Sequence, residues 1–480
     1  MAAVATDEAK TMHATKAKLE TSENSGIANR EEYANHAYTN MTIALVDWSH
    51  LLEDYLDNIG ISFESFCNEM SGGWMFGYID ALKTAGIRTV LFCVSARVKK
   101  PTRFRHRATG ATICVLPAPK IYRALRRRVL NPYAATVEEA VGDVRGIKKI
   151  LWSAVKDFAP YHSTPLVHLA RELRRERCDA ILCQDYEHGR FDVCLLLGRL
   201  IRLPVFATFQ GGDLPLSRLE PLARRFFVNL CNGLIIATGR EAERVKANYE
   251  ISREQVEQIF NPLDLSEWYA EDKAKARAAL KIPQSARVAV WHGRVQIQIK
   301  GLDVLLEAWE RVCRERAGSE LRLLLVGTGN DRDELRQRIA RLNVQNVIWI
   351  DEYVLERARL RSMLSTADVY VLSSRREGFP VAPVEAMACK LPVVAVNAPG
   401  IADIFDKGEQ SGGIVVPQEN ITVFATELGR LLDNKVLSAK MGERARANAE
   451  GRFSPEAVGR SLRDFMEKRN RQVKEIKRKS

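Results

Sequence analysis

The sequence has little of what holds extracellular, metal-bound or membrane-spanning proteins together. Its nine cysteines are scattered, odd in number and never arranged as C-x-x-C, so neither a disulfide framework nor a zinc site is expected. No apolar run approaches the ~18 residues that a spanning helix needs. The amino-terminal stretch has no basic segment followed by an apolar one, so we expect no signal peptide. These absences favour a cytoplasmic protein.

The chain does have the length for more than one hydrophobic core. Its 480 residues, 46% of them hydrophobic, suit two domains, because a single core rarely grows beyond roughly 250–300 residues. Residues 1–40 have few apolar side chains and no periodicity, which predicts a disordered extension. We therefore expect the folded structure to begin at Met41.

From there onwards, short apolar runs alternate with amphipathic stretches such as 302–316 and 332–342. This alternation predicts parallel sheets with crossover helices, and two consecutive sets predict two Rossmann-like α/β domains, at 41–265 and 266–452, facing one cleft. Residues 453–480 are predicted to be a final helix with a basic tail. The predicted strands lie at 43–46, 89–94, 180–183, 204–207, 234–237, 288–291, 321–326, 347–350, 369–372 and 392–396.

The motif E-G-F-P-V-A-P-V-E follows the predicted strand 369–372 and a polar loop at 373–376. We expect a helix to begin near Pro383, since proline suits the first helical turn. Free backbone N–H groups before a helix can bind an anion, reinforced by the helix dipole, and a diphosphate is the natural ligand. The residues that would provide this site are Gly378, Phe379, Val381 and Ala382.

Two carboxylates bracket the same motif. Glu385, in the predicted first turn, can accept hydrogen bonds from two neighbouring ribose hydroxyls, and Glu377 can reach a sugar. The alternative for Glu385 alone is a helix N-terminus with a favourably placed acid.

A second motif, His292-Gly293-Arg294 with Lys300-Gly301, follows the predicted strand 288–291. Arg294 and Lys300, which is expected to open the next helix, would place two cations at one strand end. Such cations can neutralise a departing diphosphate as its charge develops. Taken alone, this spacing is better explained by an ordinary exposed strand end.

Together the motifs resemble glycosyltransferase family 4, the glycosyl transferases group 1. The family pattern is G-R-x(4,5)-K-G, then G-x-G, then E-x7-E; here it is Gly293-Arg294 to Lys300-Gly301, Gly327 to Gly329, and Glu377 to Glu385. The match is specific over about 285–420 and looser in the first domain, where Gly72-Gly73 is similar to the family's glycine pair. The resemblance implies a GT-B fold, with the last helix returning to the first domain.

The resemblance also implies a retaining transfer from a UDP- or GDP-sugar. In that case Arg294 and Lys300 would hold the diphosphate, Glu385 the ribose and Glu377, as the catalytic contact, the donor sugar, with Gly73 on the donor side. A phosphate oxygen would act as the base, so neither a metal nor another cofactor is implied. Asp331-Arg332-Asp333 mimics a metal-binding D-x-D motif but is predicted to be a helix cap with first-turn acids.

Two positions depart from the family pattern. Gln184 and Gln210 stand where the family usually has histidines that face the donor sugar or the acceptor. Glutamine can hydrogen-bond sugar hydroxyls but cannot shuttle a proton. His188 is a candidate for supplying the missing imidazole as a catalytic group, and an ordinary surface histidine is the alternative.

The net charge of +12 requires an explanation. Segment 97–128 is strongly basic with interspersed apolar residues, which suits peripheral contact with the anionic inner face of a membrane and a lipid-linked acceptor; a basic solvated helix face is the alternative. A polysaccharide precursor and a small metabolite remain open as acceptors. The rival functions are a GT-B sugar-nucleotide epimerase, a non-catalytic GT-B scaffold and a nucleic-acid-binding protein, although the segment lacks the regularly spaced aromatic residues of a stacking platform.

Overall fold

A computed structural model of the protein describes residues 41–70, 73–129, 136–209, 220–342 and 346–479. The extension 1–40, expected to be disordered, lies outside the described residues, as do Gly72 and Gln210. In the described part, two separate sheets carry parallel strands with helices on both faces. The α/β architecture expected from the sequence is therefore confirmed.

The strands follow the apolar runs closely. Most of these runs are buried on both faces of a sheet, where near-continuous hydrophobic sequence is favoured. The strands are β1 Thr42–Val46, β2 Arg88–Ser95, β3 Thr102–Arg105, β4 Thr112–Pro117, β5 Ala180–Cys183, β6 Val205–Phe209, β7 Gly233–Ile236, β8 Val256–Gln258, β9 Arg287–His292, β10 Leu321–Val326, β11 Val347–Ile350, β12 Val369–Leu372, β13 Val393–Val396 and β14 Gly413–Val416.

Helices connect these strands and cover the sheets. The α-helices are α1 Leu52–Ile59, α2 Phe63–Asn68, α3 Gly73–Thr84, α4 Lys120–Arg126, α5 Val137–Val141, α6 Ile147–His162, α7 Leu166–Arg175, α8 Gly189–Ile201, α9 Glu220–Leu230, α10 Gly239–Tyr249, α11 Lys273–Ala279, α12 Ile297–Lys300, α13 Leu302–Glu315, α14 Arg332–Arg341, α15 Arg357–Ser365, α16 Val381–Ala388, α17 Ile401–Ile404, α18 Ile421–Asp433, α19 Lys435–Phe453 and α20 Pro455–Lys479. Among these helices, none has the length and apolar character to span a bilayer.

The strand order brings the two predicted motifs together. The first sheet runs β3-β4-β2-β1-β5-β6-β7-β8 and the second β11-β10-β9-β12-β13-β14. All described pairings are parallel except that of β3 with β4. Because β9 lies between β10 and β12, their carboxyl ends meet at one edge, where ligands of such sheets bind.

The basic segment 97–128 is not one continuous amphipathic element. It contains the β3–β4 hairpin, which extends the first sheet, and α4. Arg103 forms ion pairs with Glu172 and Glu176, and Arg126 with Asp54. Some of the positive charge therefore neutralises acids of the same domain.

The final helix returns to the first domain, as the resemblance implied. Ser454 caps it, since the N–H of Ala457 donates to Oγ of Ser454 at 3.2 Å. The helix α20 packs on α3, where Phe465 and Met466 are buried in the core of the first domain. A Cβ added at Gly459 would lie 2.0 Å from the carbonyl oxygen of Ala81, so glycine permits the close approach.

Candidate functional site

Lys300 and Glu377 form an ion pair at the carboxyl edge of the second sheet. The ammonium nitrogen of Lys300 lies 2.9 Å from both carboxylate oxygens of Glu377. The side chains are 21% and 11% exposed, respectively. The cation expected on the diphosphate therefore neutralises the acid expected on the sugar.

The sequence suggested that Lys300 opens the next helix. Instead, Lys300 is the last residue of the short helix α12. Gly301 follows with φ of 60°, and a Cβ there would lie 2.0 Å from the carbonyl oxygen of Ser373. The hydroxyl of Ser373 donates to the carbonyl of Lys300 at 2.8 Å. This contact holds the loop after β12 against the loop that carries Lys300.

His292 is a residue of this site to which sequence reasoning gave no role. Its Nε2 lies 2.8 Å from Oε2 of Glu385 and serves as the donor to that carboxylate. The side chain is 8% exposed, and its Nδ1 has no hydrogen-bond partner in the described part of the chain. A polar side chain directly after the apolar run Val288–Trp291 was the available signal.

Glu385 lies in the second turn of its helix, not in the first. The helix α16 begins at Val381, two residues earlier than expected, and Pro383 is its third residue. Helical side chains lean toward the amino terminus, so Glu385 still reaches the strand end. The N–H groups of Val381 and Ala382 are in the first turn, where a helix offers no internal acceptor.

Arg294 is exposed, and we find no hydrogen bond or ion pair from its side chain to the described residues. Its loop follows Gly293 and packs directly on the loop after β10. A Cβ at Gly327, whose φ is 138°, would lie 1.9 Å from the carbonyl oxygen of Gly293. A Cβ at Gly329 would lie 2.2 Å from that of Val295. The G-x-G turn therefore serves backbone packing beneath Arg294.

Phe379 connects the loop 373–380 between β12 and α16, here called the donor loop, to the junction of the two domains. Its ring centroid lies 5.8 Å from that of Phe260, which precedes the domain boundary at residue 265, and 6.1 Å from that of Phe453, which ends α19. Phe260 and Phe453 lie 4.8 Å apart. Gly378, in the same loop, has its carbonyl oxygen 3.7 Å from the Cβ position of Gly400.

A cleft of about 960 Å³ lies beside these motifs and is lined by both domains. Neither Lys300 nor Glu377 is among the described residues that line the cleft. The second domain contributes His292, Arg294, Val381, Ala382 and Glu385, together with the loop from Glu352 to Arg357. The first domain contributes Ile61, Ser62, Ser65, Glu69 and Met70, between the start of α2 and the stretch that precedes α3.

On the first domain, Gln184 and His188 both follow β5. Gln184 is buried and its N–H donates to the carbonyl of Val46 at 3.0 Å. The His188 ring lies 5.6 Å from that of Trp48. Burial lowers the pKa of His188 to about 4, and the buried guanidinium groups of Arg224 and Arg190 add to this effect. The imidazole is therefore neutral near pH 7. Gly73 begins α3.

Two buried arginines fix the strand ends of this domain, and sequence reasoning missed both. Arg190 donates to the carbonyls of Asp47 and His50 and pairs with the carboxylate of Asp47. Arg224 donates to the carbonyls of Tyr186 and Glu187. Each lies within a helical stretch, and nothing in the local pattern marks it as buried.

The D-x-D mimic at 331–333 lies at the start of α14 as expected, with Asp331 at the N-cap position and Asp333 in the first turn, but the side-chain cap is absent. Asp331 precedes α14 but makes no capping bond with its side chain; its Oδ2 accepts from the N–H of Ile297 at 2.8 Å. It thereby holds the loop that leads to Lys300. Among the described residues, no group of three or more His, Cys, Asp or Glu side chains is arranged to hold a metal ion.

Comparison with known sequences agrees with this geometry. Residues 272–448 match the family described as glycosyl transferases group 1. A D-inositol 3-phosphate glycosyltransferase of Saccharomonospora viridis is 29% identical over 254 residues, which cover 52% of this chain and 58% of that protein. One from Streptomyces avermitilis is 30% identical over 254 residues, covering 51% and 53%. The chain thus spans just over half the length of these curated relatives.

Comparison with solved structures shows the fold. Sucrose-phosphate synthase from Thermosynechococcus elongatus aligns with a TM-score of 0.60 at 17% identity, covering 90% of this chain and 99% of that one. Anabaena HepE in complex with UDP aligns at 0.61 and 16% identity, covering 89% and 100%. The GT-B fold expected from the motif resemblance is confirmed.

Proposed function

We propose that this chain, whose residues 272–448 match the glycosyl transferases group 1, is a glycosyltransferase of family 4 that transfers a sugar from a nucleoside diphosphate sugar to a hydroxyl acceptor with retention of configuration. The observation that carries the proposal is the pairing of four side chains at two adjacent strand ends: Lys300 with Glu377, and His292 with Glu385. A cleft lined by both domains begins beside them.

The donor would bind with its diphosphate over the amino terminus of α16. The first-turn N–H groups of Val381 and Ala382 face an anion in such a position, and the exposed Arg294 brings a guanidinium that is suited to bidentate phosphate contacts. Glu385 would accept the ribose hydroxyls. The donor would be a UDP- or GDP-sugar, and the exposed loop 352–357 would meet its base.

Donor binding would rearrange the Lys300–Glu377 pair. A diphosphate competes with Glu377 for the ammonium group, and a sugar hydroxyl can donate to the carboxylate that is released. In the transfer, the bond from the anomeric carbon to the β-phosphate oxygen breaks while the acceptor oxygen forms its bond on the same face. The hydroxyl proton passes to the departing phosphate oxygen. Lys300 and Arg294 stabilise the charge that develops there, and neither a metal nor another cofactor is part of this scheme.

The acceptor would bind on the first domain at the carboxyl ends of β1 and β5. His188, Trp48 and Gln184 follow these strands, and Gln210 follows β6 in sequence. Aromatic faces and neutral polar groups suit a saccharide or a cyclic polyol. A lipid-linked saccharide, a polysaccharide precursor and a small metabolite all present such a hydroxyl, so glycolipid or polysaccharide synthesis is the proposed setting.

A thermal-shift panel of UDP-, GDP- and ADP-sugars tests the donor part of the proposal. Stabilisation grows with ligand affinity by mass action, so one nucleotide class should raise the Tm of the wild type. Glu385→Ala and Arg294→Ala should reduce that rise, whereas Arg332→Ala, an exposed arginine outside the cleft, should not. A wild type that responds to no nucleotide sugar contradicts the proposal, and an epimerised nucleotide sugar formed without an acceptor would favour the epimerase.

A further inference from the structure

One side of helix α6 presents an apolar stripe to solvent. Ile147, Ile150, Leu151 and Phe158 are 76%, 71%, 60% and 49% exposed. They follow one another at helical spacing, and Ala154, also exposed, fills the gap between them. Single exposed apolar residues are ordinary, but a continuous patch on one helix marks an interaction surface.

The stripe is not the side by which α6 is held to the domain. Ala159 packs against the small core cluster around Tyr122, and the hydroxyl of Tyr161 donates to Asp192 at 3.1 Å. The helix therefore has a second apolar side that nothing in the described chain covers.

The neighbouring helix α4, which packs against α6, carries exposed positive charge. Lys120, Ile121, Arg127 and Arg128 are exposed and share one face of α4 and the turn after it. No acidic residue occurs between residues 97 and 129. Arg126 is neutralised by Asp54, but we find no ion pair from Lys120, Arg127 or Arg128 to the described residues.

We infer that these two faces form one docking surface for an anionic lipid bilayer. The surface consists of Lys120, Ile121, Arg127 and Arg128 from α4 and the turn after it, and of Ile147, Ile150, Leu151 and Phe158 from α6. A bilayer takes both parts at once, because its headgroups attract the cations while the acyl boundary accepts the apolar stripe. The basic face alone would suit many anions, but the adjoining apolar stripe favours a lipid surface.

The inference does not depend on the proposed transfer reaction, since docking is measured without any sugar nucleotide. It places the membrane on the first domain, to which the acceptor is assigned. The sequence predicted membrane contact through segment 97–128 alone. In the inferred surface, the apolar side chains lie on α6, outside that segment.

Vesicle flotation of the full chain tests the inference. Vesicles of phosphatidylcholine alone are compared with vesicles of equal phosphatidylcholine and phosphatidylglycerol. We expect the wild type to float with the anionic vesicles only. Ile150→Ser/Leu151→Ser should lower the partition coefficient at least tenfold, and Arg127→Gln/Arg128→Gln about fivefold for each cation removed.

The matched control is Leu200→Ser/Val436→Ser, which removes two apolar side chains that are 81% and 80% exposed elsewhere. This control should float as the wild type does, and an unchanged Tm shows that each variant is folded. Failure of the wild type to float, or equal flotation of stripe and control variants, overturns the inference. Self-association that is abolished by Ile150→Ser/Leu151→Ser, without flotation, assigns the surface to a protein partner and equally overturns it.

Discussion

Replacing His292 with leucine should weaken nucleotide binding without unfolding the chain. The side chain is buried, and leucine fills a similar volume while removing the Nε2 donor to Glu385. A hydrogen bond to a charged group contributes about 1.5–3 kcal/mol. If the bond holds Glu385 toward the ribose, its loss should raise the Kd roughly 10- to 100-fold, since 1.4 kcal/mol is tenfold.

Titration calorimetry with UDP and with GDP measures this directly. The set is wild type, His292→Leu, His292→Gln, Glu385→Ala and the double variant His292→Leu/Glu385→Ala. Glutamine keeps a donor and should recover part of the affinity. His168→Leu, at a half-buried histidine on α7, is the matched control and should bind as the wild type does.

The double variant separates positioning from direct contact. If His292 acts only through Glu385, the leucine change should cost nothing further once Glu385 is alanine, because coupled residues are non-additive. Binding by His292→Leu that equals or exceeds that of the wild type would refute the reasoning. It would mean that Glu385 has to leave His292 before it can receive the ribose.

Three further predictions concern stability, each measured by urea unfolding. Lys300→Met strands the carboxylate of Glu377 and should lower the free energy of unfolding by about 1–3 kcal/mol, and adding Glu377→Gln should recover most of that loss; no recovery would show that the pair is not coupled. Gly327→Ala should destabilise by about 2–4 kcal/mol because its Cβ meets backbone at 1.9 Å, whereas Gly451→Ala, in open space within α19, should stabilise by about 0.5–1 kcal/mol. Burial lowers the pKa of His188 from 6.5 to about 4, so the unfolded chain takes up the proton first as the pH falls. The contribution of His188 to stability is thus intact above pH 6.5 and is lost at about 1.4 kcal/mol per pH unit toward pH 4. His188→Gln should flatten this dependence of the free energy of unfolding on pH. An unchanged pH dependence contradicts the lowered pKa of His188.

Strand positions could be predicted from the sequence because burial on both faces leaves a continuous apolar run. The run 180–183 coincides with β5, and 369–372 with β12, and both strands are fully buried. The strand β4 was not predicted, although Thr112–Pro117 is nearly all buried. It lies within the basic segment 97–128, which was interpreted as one surface for membrane contact. Charge density along the chain does not show which side chains are paired across the fold, as Arg103 and Arg126 are.

The candidate site was predictable where local chemistry determines it. The motifs predicted that the Lys300 loop and the Glu377 loop each follow a strand, and the structure places both after the neighbouring strands β9 and β12. The His292–Glu385 contact was not predictable, since it joins residues 93 positions apart through sheet order alone. The start of α16 was not predictable either. Proline is favoured in the first helical turn because its missing N–H needs no partner there, and this holds at the third helical position as well as at the first.

The aromatic cluster of Phe260, Phe379 and Phe453 makes the donor loop part of the pivot between the domains. We expect a rotation of one domain against the other to disturb Phe379, because it packs on Phe260, which precedes the domain boundary, and on Phe453, which follows the second sheet. Filling the donor site and setting the interdomain angle should then influence each other in both directions. A ligand or surface that holds the first domain at one angle would change nucleotide affinity without touching the nucleotide.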